Sequence, residues 1–396
     1  MMKSIRTILV ANRGEIAIRV MRAASEMGIR TVAIYAEEDK FALHRFKADE
    51  SYCVGVGKKP IAAYLDIKDI IRIAKEAKVD AIHPGYGFLS ENPEFAEACA
   101  QANIQFIGPK PDVMRQLGNK VMARNVAILA GVPVVPATGA LPNDLNECHV
   151  VAAEVGYPLM LKASWGGGGR GMRVVEHENE LEDAINVARR EAQSAFGNDE
   201  VYLEKLVRQA RHVEVQIIGD THGNIVHLFE RDCTVQRRNQ KVVERAPAPY
   251  LSESQRHELC EVALTLARAV NYTHAGTVEF LMDADTDDFY FIEVNPRIQV
   301  EHTITEEITG IDIVKAQIRI TEGAEIGAKA SFIPQQDQIQ LLGHALQCRL
   351  TTEDPKNGFM PDYGRLTAFR SATGFGVRVD SGTAYTGAVI TPYYDS

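Results

Sequence analysis

The fold is decided by the run Thr277-Val278-Glu279-Phe280-Leu281-Met282 and its return, Phe289-Tyr290-Phe291-Ile292-Glu293-Val294. Both runs are rich in β-branched and aromatic residues and are separated by a polar turn, so they predict an antiparallel hairpin. Setting Glu279 opposite Glu293 gives one wholly apolar face of three pairs: Val278 with Val294, Phe280 with Ile292, and Met282 with Tyr290. The other face then carries two pairs: Leu281 with Phe291, and Glu279 with Glu293.

The facing carboxylates of Glu279 and Glu293 need a counter-charge, because like charges directly opposite each other destabilise a sheet. A hard divalent cation held between oxygen ligands would supply that charge and could also carry nucleotide phosphates. Asn295 is the next residue on this face. Two solvated carboxylates on a sheet surface would give the same pattern, so the pairing alone leaves both interpretations open.

Polar residues continue at every second position beyond the hairpin: Glu293, Asn295, Arg297, Gln299 and Glu301. If the segment is extended, these five side chains lie on one side. An arginine, an amide and a carboxylate beside a cation would suit an anionic substrate that is fixed and deprotonated next to a metal-bound phosphate. Pro296 favours an edge strand or a loop, and a solvated edge strand would alternate in the same way.

Four consecutive glycines, Gly166, Gly167, Gly168 and Gly169, follow a strand-like run at 158–164 and precede another at 174–175. This order predicts a hairpin with a glycine tip. Residues without Cβ can bring backbone N–H groups against a ligand, and phosphate is the natural one. The spacing is neither that of a P-loop nor that of a dinucleotide fingerprint, so an unstructured loop is the alternative.

The rest of the chain shows two patterns. Apolar runs at 8–11, 31–35, 81–83 and 104–107 alternate with helical periodicity, which predicts an open parallel sheet. After residue 201, strand-like runs and one helix over 254–270 predict an antiparallel sheet with flanking helices. The Pro-punctuated stretch 132–136 indicates a connection. We therefore expect a mixed α/β and α+β protein with four parts: a domain over 1–118, a linker over 119–133, a lid over 134–206 and a C-terminal domain over 207–396.

Composition excludes several classes of protein. The 396 residues are 45% hydrophobic and 24% charged, as in soluble globular chains. A net charge of −10 argues against nonspecific binding to nucleic acid or anionic lipid. The cysteines form no CxxC pair, the N-terminus lacks the apolar run of a signal peptide, and no segment is long enough to span a membrane. We expect a cytoplasmic protein that binds neither nucleic acid nor membrane.

Isolated lysines and arginines are weaker evidence of a binding site than the motifs above. The basic run 236–241 is most simply a salt-bridged surface. Lys120 and Lys162 lie within apolar sequence and, with Arg349, are better candidates for cations directed at a ligand. For Arg349 the alternative is a structural ion pair with a neighbour such as Glu353.

Together these motifs resemble those of the biotin carboxylase family of ATP-grasp enzymes. The similar segments occur in the family's order along the whole chain, at 11–17, 83–92, 162–172, 231–238 and 295–302. Within the family, segments 294–302, 343–349 and 360–365 are most similar to the N-terminal domain of pyruvate carboxylases. Asn239 fits that branch, since acetyl-CoA carboxylase subunits usually have histidine at this position.

The resemblance implies an ATP-grasp fold in which ATP lies between the lid and the C-terminal sheet. Lys120, Lys162 and the glycines at 166–169 would contact the phosphates. The remaining nucleotide contacts would come from the hinge residues Glu204, Lys205, Leu206 and Val207, and from His212, Gln236, Asn239 and Lys241. Mg²⁺ or Mn²⁺ would be held by Glu279, Glu293 and Asn295, which agrees with the hairpin register.

The resemblance further implies ATP- and bicarbonate-dependent carboxylation of biotin on a carrier domain. Bicarbonate would be held by Arg297, Gln299 and the backbone of Val300, with Glu301 as the general base and Lys241 near the γ-phosphate. Attack of bicarbonate on ATP would give carboxyphosphate. The biotin site would include Tyr86 and Arg349, whose guanidinium would stabilise the biotin enolate.

Partners beyond this chain are implied as well. In pyruvate carboxylases this reaction is the first half of the conversion of pyruvate to oxaloacetate, and a carboxyltransferase domain and a carrier domain complete a protein that we expect to be a homo-oligomer. Family members continue past 393–395, so we expect the C-terminal domain to be incomplete at its end. Three alternatives stay open: the biotin carboxylase of an acyl-CoA carboxylase, another ATP-grasp ligase, and a truncated module that binds ATP without turnover.

Overall fold

The N-terminal part folds around a parallel sheet in the computed structural model, which describes residues 4–165, 172–382 and 384–394. Its elements are β1 (Thr7–Val10), α1 (Gly14–Glu26), β2 (Arg30–Tyr35), α2 (Leu43–Lys47), β3 (Glu50–Cys53), α3 (Pro60–Tyr64), α4 (Ile67–Glu76), β4 (Ala81–His83), α5 (Pro93–Gln101), β5 (Gln105–Phe106) and α6 (Pro111–Gly118). The strand order is β3-β2-β1-β4-β5, with every pair parallel. Ile8 and Leu9 of β1 lie in different core clusters, because helices cover both faces of a parallel sheet. The predicted parallel sheet is confirmed.

The middle part contains a smaller antiparallel sheet. Its elements are α7 (Lys120–Leu129), α8 (Leu145–Val155), β6 (Leu159–Ala163), β7 (Arg173–Val175), α9 (Leu181–Phe196) and β8 (Val201–Lys205). Strand β6 pairs with both β7 and β8, so the predicted hairpin of β6 and β7 is confirmed. Its predicted glycine tip, Gly166 to Gly169, lies outside the described residues. Helix α7 occupies most of the predicted 119–133 connection.

The C-terminal part is dominated by an antiparallel sheet with the strand order β13-β12-β9-β10-β11-β14. Its elements are β9 (Ala210–Gly219), β10 (Ile225–Arg237), β11 (Gln240–Ala246), α10 (Glu253–Ala269), β12 (His274–Asp283), β13 (Phe289–Asn295), α11 (His302–Thr309), α12 (Ile313–Thr321), β14 (Ala345–Cys348), β15 (Glu353–Asp354), β16 (Met360–Pro361), β17 (Gly364–Arg365) and β18 (Val389–Ile390). Strands β15 with β16 and β17 with β18 form separate two-stranded pairs. The predicted antiparallel sheet with flanking helices is confirmed.

The hairpin of β12 and β13 confirms two predicted pairs, Val278 with Val294 and Glu279 with Glu293. Beyond Glu279 the predicted register is wrong by one residue, since the observed pairs are Phe280 with Phe291, Leu281 with Tyr290, and Met282 with Phe289. Ile292 is the additional residue of a β-bulge. The physical reason is aromatic packing: Phe280 meets the rings of Phe289 and Phe291 edge-on, with centroids 5.8 and 6.3 Å apart.

Two loops attach to the outer side of this hairpin. The N–H of Phe291 donates to the carbonyl oxygen of Pro133 at 2.8 Å, so the stretch 132–136, predicted to be a connection, runs along the edge of the sheet. Strand β13 ends at Asn295, and beyond Pro296 the chain leaves the sheet and enters α11 with Glu301 as its N-cap residue. The polar residues after Asn295 are therefore presented by a loop.

Candidate active site

A row of four ionisable residues crosses the middle of the six-stranded sheet. In the strand register Arg231 of β10 lies opposite Glu214 of β9, Glu214 opposite Glu279 of β12, and Glu279 opposite Glu293 of β13. Glu214, Glu279 and Glu293 alternate with apolar residues along their strands. Arg231 lies next to Glu230, which pairs with Arg256 of α10, so all four residues of the row share the face turned away from the α10 side of the core. Three carboxylates on adjacent strands repel one another, and cations must therefore lie among them.

Lys241 supplies the central cation. Its Nζ contacts the carboxylate of Glu214 and donates to Oε1 of Glu279 at 2.9 Å and to Oε1 of Glu301 at 2.8 Å. Burial would lower the pKa of Lys241, but the three carboxylates outweigh it and raise that pKa well above its usual range. The last residue of the basic run 236–241 thus points into the protein, while Arg238 lies exposed at the surface.

Glu301 is buried between two cations. Besides Lys241, the Nη2 of Arg349 donates to Oε2 of Glu301 at 3.0 Å. Burial alone would raise the pKa of the Glu301 carboxyl, but Lys241, Arg349 and Arg231 outweigh burial and hold the pKa below its ordinary value. In this state Glu301 is ionised and only weakly basic.

Arg349 is fixed by a second carboxylate. Its Nε donates to Oε1 of the fully buried Glu244 at 2.6 Å. Burial raises the pKa of Glu244 above its ordinary value, although Arg349 acts in the opposite direction. The predicted alternative partner of Arg349 is wrong, because Glu353 contacts Arg237 instead. The two short strands β15 and β16 carry Glu353 away from Arg349 and towards the end of β10.

Tyr86 reaches this region from the N-terminal part of the chain. It follows β4, and its hydroxyl donates to Oε1 of Glu15 on α1. Burial and the charge of Glu15 raise the pKa of Tyr86 well above its usual range, while Arg349 opposes this shift. Arg349, the other predicted biotin-site residue, is thus close enough to Tyr86 to act on it electrostatically.

The loop 296–301 brings the predicted anion-binding groups next to this cluster. Arg297 donates from Nη2 to Oδ1 of Asn295 at 2.8 Å and contacts Glu91 of the N-terminal part through Nε. Gln299 donates from Nε2 to Oε1 of Glu279 at 3.1 Å. Within the described part of the chain the N–H of Val300 donates to no other group, so it is available to an anion.

The predicted metal ligands lie together but are occupied by protein cations in this structure. Oε2 of Glu279 lies 2.7 Å from Nε2 of His212, and Oε2 of Glu293 lies 3.2 Å from Nζ of Lys120. Asn295 donates from Nδ2 to Oε1 of Glu279 at 2.8 Å. Burial would raise the pKa of Glu279, but Lys241 and His212 hold it well below its ordinary value. The carboxylate oxygens of Glu279 and Glu293 fit a hard divalent cation that displaces His212 and Lys120.

Two compact groups of ligand atoms lie at this face among the described residues. One consists of His212, Glu214 and Glu279, and the other of Glu214, Cys233 and Glu301; the ligand atoms of each group lie within 4.8 Å of one another. Of the two acidic residues in the metal set predicted from the sequence, Glu279 belongs to one of these groups and Glu293 does not.

The predicted adenine-side hinge lies where β8 leads into β9. Lys162 contacts the carboxylate of Glu204, which also accepts from the hydroxyl of Tyr202 at 2.9 Å. Burial would raise the pKa of Glu204, but Lys162 outweighs burial and lowers it. Lys205 points elsewhere, since its Nζ donates to the carbonyl oxygens of Gly156 and Tyr157, both at 2.9 Å.

The next two hinge residues carry the chain towards β9. The N–H of Leu206 donates to the carbonyl oxygen of Pro158 at 3.1 Å, and Val207 precedes the first residues of β9. Leu206 is thereby tied to the start of β6. The hinge segment thus connects the middle part of the chain to the six-stranded sheet.

Two other predicted nucleotide contacts lie near the hairpin of β10 and β11. Gln236 donates from Nε2 to the carbonyl oxygen of Cys233 at 3.0 Å. Asn239 lies exposed at the turn, where Arg238 and Asn239 have φ angles of 51° and 62°. Consecutive positive φ angles define a two-residue hairpin turn in which asparagine is favoured. The backbone therefore gives a reason for asparagine at this position.

Sequence reasoning assigned no role to Glu214, Glu244 or Glu91. Glu214 could have been found, because Glu214 and Gln216 alternate with valines and isoleucines in β9, and a polar alternation within a central strand marks a buried polar face. Glu244 shows the same alternation less clearly. Glu91 gave no signal, since its contact with Arg297 depends on how two distant parts of the chain meet.

Within the ranges that the structure describes, no helix combines the length and apolar composition needed to cross a membrane.

Comparison with known proteins gives three family matches. Residues 4–114 match the biotin carboxylase N-terminal domain, residues 119–329 the ATP-binding domain of the carbamoyl-phosphate synthase L chain, and residues 347–396 the biotin carboxylase C-terminal domain.

Relatives match over the whole chain. Pyruvate carboxylase of Bacillus subtilis is 58% identical over 394 residues, which cover 100% of this chain and 34% of that protein. The structure of Rhizobium etli pyruvate carboxylase T882A with the allosteric activator acetyl coenzyme A has a TM-score of 0.95 at 68% identity, over 99% of this chain and 35% of that one. The chain thus spans about a third of the length of these relatives.

A shorter relative matches over most of its own length as well. The biotin carboxylase domain of Hydrogenobacter thermophilus 2-oxoglutarate carboxylase was solved as a dimer with MgADP, ADP and bicarbonate. It has a TM-score of 0.95 at 46% identity, and the match covers 100% of this chain and 85% of that one.

Proposed function

Because the chain belongs to the biotin carboxylase family of ATP-grasp enzymes, we propose that it carboxylates biotin on a carrier domain, using ATP and bicarbonate. The observation that carries the proposal is the convergence of one buried carboxylate, Glu301, with Lys241 and Arg349, beside the available N–H of Val300. This arrangement offers a base, two cations and an anion-binding backbone group within one site.

Bicarbonate would bind where the loop 296–301 meets the sheet. Arg297 offers a fixed guanidinium, Gln299 an amide and Val300 a backbone N–H. Planar anions are bound well by a guanidinium together with oriented N–H donors. Held there, a bicarbonate hydroxyl lies beside Glu301, which can accept its proton.

Glu301 becomes a stronger base only when its cations are drawn away. Lys241 and Arg349 hold the pKa of Glu301 down in this state, so a shift of Lys241 towards the γ-phosphate of ATP would raise that pKa. Binding of ATP would thus prepare Glu301 to deprotonate bicarbonate. The same movement would place the Lys241 ammonium where phosphate charge develops during transfer.

Glu279 and Glu293 would hold a divalent cation such as Mg²⁺ or Mn²⁺ with the help of Asn295. Bound there, the cation would neutralise charge on the ATP phosphates. His212 and Lys120, which contact the two carboxylates in this structure, would then be free to contact the nucleotide. Lys162, beside Glu204, would contact the phosphates from the lid side.

The reaction balances when Glu301 releases to solvent the proton that it takes from bicarbonate. An oxygen of deprotonated bicarbonate forms a bond to the γ-phosphorus, the bond to ADP breaks, and carboxyphosphate results. Carboxyphosphate breaks down to CO₂ and phosphate, and the phosphate accepts the N1′ proton of biotin. Arg349, positioned by Glu244, faces the developing enolate oxygen before N1′ attacks CO₂.

The activity of a longer protein is a further part of the proposal. The relatives that the chain resembles over a third of their length are pyruvate carboxylases, and this supports the conversion of pyruvate to oxaloacetate with a carrier domain and a carboxyltransferase domain as partners. The dimeric biotin carboxylase domain of 2-oxoglutarate carboxylase supports a homo-oligomer. The cytoplasmic location stays a prediction from the sequence.

Bicarbonate-dependent cleavage of ATP tests the proposed function. We expect the chain with MgATP to release phosphate slowly in bicarbonate-free buffer and faster when bicarbonate is added, and free biotin to accelerate the release and to acquire label from ¹⁴C-bicarbonate. A nucleotide-binding module without turnover would bind ATP but show no dependence on bicarbonate. That result would contradict the proposal.

A further inference from the structure

Arg231 is the most completely enclosed cation of the site, with no exposed surface. Its five N–H donors all have acceptors, drawn from five residues: Glu214 at 2.6 Å, Gln216 at 2.7 Å, Thr305 at 2.9 Å, Thr277 at 3.0 Å and Gln299 at 2.8 Å. A guanidinium has five such donors in a rigid planar fork. The direction of every acceptor is therefore fixed by Arg231.

Ion pairing alone does not explain this arrangement. Only Glu214 among the five acceptors is charged, and a buried ion pair adds little net stability compared with apolar packing. The other four acceptors are neutral oxygens on β9, β12, the loop 296–301 and α11. Arg231 thus connects four separate elements by fixing the orientation of one side chain on each of them.

Gln299 is the acceptor with the clearest consequence. Its Oε1 accepts from Nη2 of Arg231, so its NH₂ group must point the opposite way, and there it donates to Oε1 of Glu279 at 3.1 Å. A flipped amide would set two N–H donors against the guanidinium and a carbonyl oxygen against a carboxylate. Both contacts would be repulsive, so only one amide orientation is stable.

We propose that Arg231 is a positioning residue that fixes the Gln299 amide with Oε1 on the guanidinium and the NH₂ group turned to Glu279, so that the second N–H of this NH₂ group serves bicarbonate. Arg231 makes Gln299 a permanent hydrogen-bond donor towards an anion, although an amide could otherwise present either its carbonyl oxygen or its NH₂ group. Arg231 itself touches neither bicarbonate nor ATP. The proposal rests on the proposed function for its consequence in binding, whereas the fixed orientation of Gln299 can be tested without any turnover.

The first measurement is the side-chain amide signal of Gln299 in the ¹⁵N spectrum of the 396-residue chain, assigned by its loss in Gln299→Ala. In Arg231→Lys we expect this signal to shift and broaden, because lysine keeps the charge but lacks the planar fork. The matched control is Arg256→Met. Arg256 pairs with the buried Glu230, the neighbour of Arg231 on β10, so this variant should lose thermal stability and keep the Gln299 signal.

The second measurement is the KM of bicarbonate in ATP cleavage. Arg231→Lys should raise it about tenfold, the scale of one misdirected charge-linked hydrogen bond, with the KM of ATP changed less than about twofold. In the Gln299→Ala background the same substitution should add less than about twofold, because its effect passes through Gln299. An equal rise in both backgrounds would overturn the proposal.

Two further outcomes are decisive. An unchanged Gln299 amide signal in Arg231→Lys overturns the proposal even if the chain shows no bicarbonate-dependent cleavage, a result that would separately contradict the proposed function. If Arg231→Lys does not fold, Thr277→Val removes a single acceptor from the same Nη2 atom. That variant should perturb the amide signal and raise the KM of bicarbonate about two- to threefold, and wild-type values of both would overturn the proposal.

Discussion

The two faces of β9 are equally buried and chemically opposite. Val213, Val215 and Ile217 lie in the apolar cluster that includes residues of α10, while Glu214 and Gln216, at alternate positions, contact Lys241 and Arg231. Burial is therefore no guide to which residues stabilise the fold. The nature of the neighbours decides the role of each face.

The free energies of the two faces differ for physical reasons. Each apolar side chain that is removed from water contributes roughly 1.5 to 3 kcal/mol to folding. A buried ion pair is roughly neutral overall, because desolvation offsets the attraction between the charges. We therefore expect substitutions on the apolar face to reduce stability. A substitution on the charged face should mainly reduce activity where it leaves each cation another carboxylate, as Glu301→Gln leaves Lys241 with Glu279 and Arg349 with Glu244.

The largest loss of stability is expected for Leu264→Ala on α10. Leu264 is fully buried in the apolar cluster behind β9, so its truncation should lower the free energy of unfolding by about 3 to 5 kcal/mol. Denaturant unfolding measures the change, with the exposed Thr265→Ala on the same helix as a control expected to stay within about 0.5 kcal/mol. Equal losses in both variants would refute the assignment of this face.

Arg349→Ser should have the next largest effect, this time on activity. If the guanidinium faces the enolate oxygen, carboxylation of free biotin should fall by about 10² to 10³, the usual scale for an oxyanion donor. Biotin-independent ATP cleavage should be largely retained, because Glu301 keeps Lys241 as a partner. Phosphate release from ATP and carboxybiotin formation are assayed side by side. Equal losses of both, with a lowered melting temperature, would mean that Arg349 has a structural role through its ion pairs with Glu244 and Glu301.

Glu293→Gln should shift the metal requirement of the same face. We expect the Mg²⁺ concentration that supports half-maximal ATP binding to rise about tenfold, since one anionic ligand is lost. The exposed Glu191→Gln, which removes a carboxylate paired with Arg173 on the lid, serves as the matched control and should leave the titration unchanged. A wild-type Mg²⁺ titration in Glu293→Gln would contradict a cation shared by Glu279 and Glu293.

The smallest effect concerns a buried group without a counter-charge. Burial lowers the pKa of His274 from 6.5 to about 4, so between these values the unfolded chain binds more protons and stability falls as the pH falls. From pH 7 to pH 6 this one group should account for about 0.7 kcal/mol. His274→Asn, which tolerates the φ of 66°, should flatten the pH dependence by that amount. If the free energy of unfolding depends on pH equally in His274→Asn and in the unmodified chain, this prediction is wrong.

Much of the fold, including the alternation that separates the apolar from the charged face of the sheet, could be predicted from the sequence. Alternation along the hairpin correctly placed Glu279 opposite Glu293. Pro296 indicated an edge strand or a loop, and the strand ends just before it, at Asn295. Periodicity also gave the parallel sheet of the N-terminal part and the antiparallel sheet of the C-terminal part. These features follow from local patterns, because the side-chain period of a strand is fixed by its backbone.

Other features depend on contacts that a linear pattern does not contain. The bulge at Ile292 arises because two phenylalanines pack around Phe280, a gain that a regular register could not provide. The partners of Arg349 are Glu244 and Glu301 because β14 pairs with β11. Neither the neighbouring strand nor the partner carboxylates could be deduced before the sheet order was known.

The most direct test of the central account is bicarbonate-dependent ATP cleavage by Glu301→Gln. If the charged face acts through Glu301 as the base, this variant should lose the bicarbonate-dependent rate by at least about 10³, with or without biotin, while keeping its melting temperature. The matched control is Glu306→Gln on α11, the helix that Glu301 caps. It removes a buried carboxylate that contacts Arg19 and Arg378 and should retain the bicarbonate dependence. A Glu301→Gln chain that still cleaves ATP faster when bicarbonate is added would contradict the account.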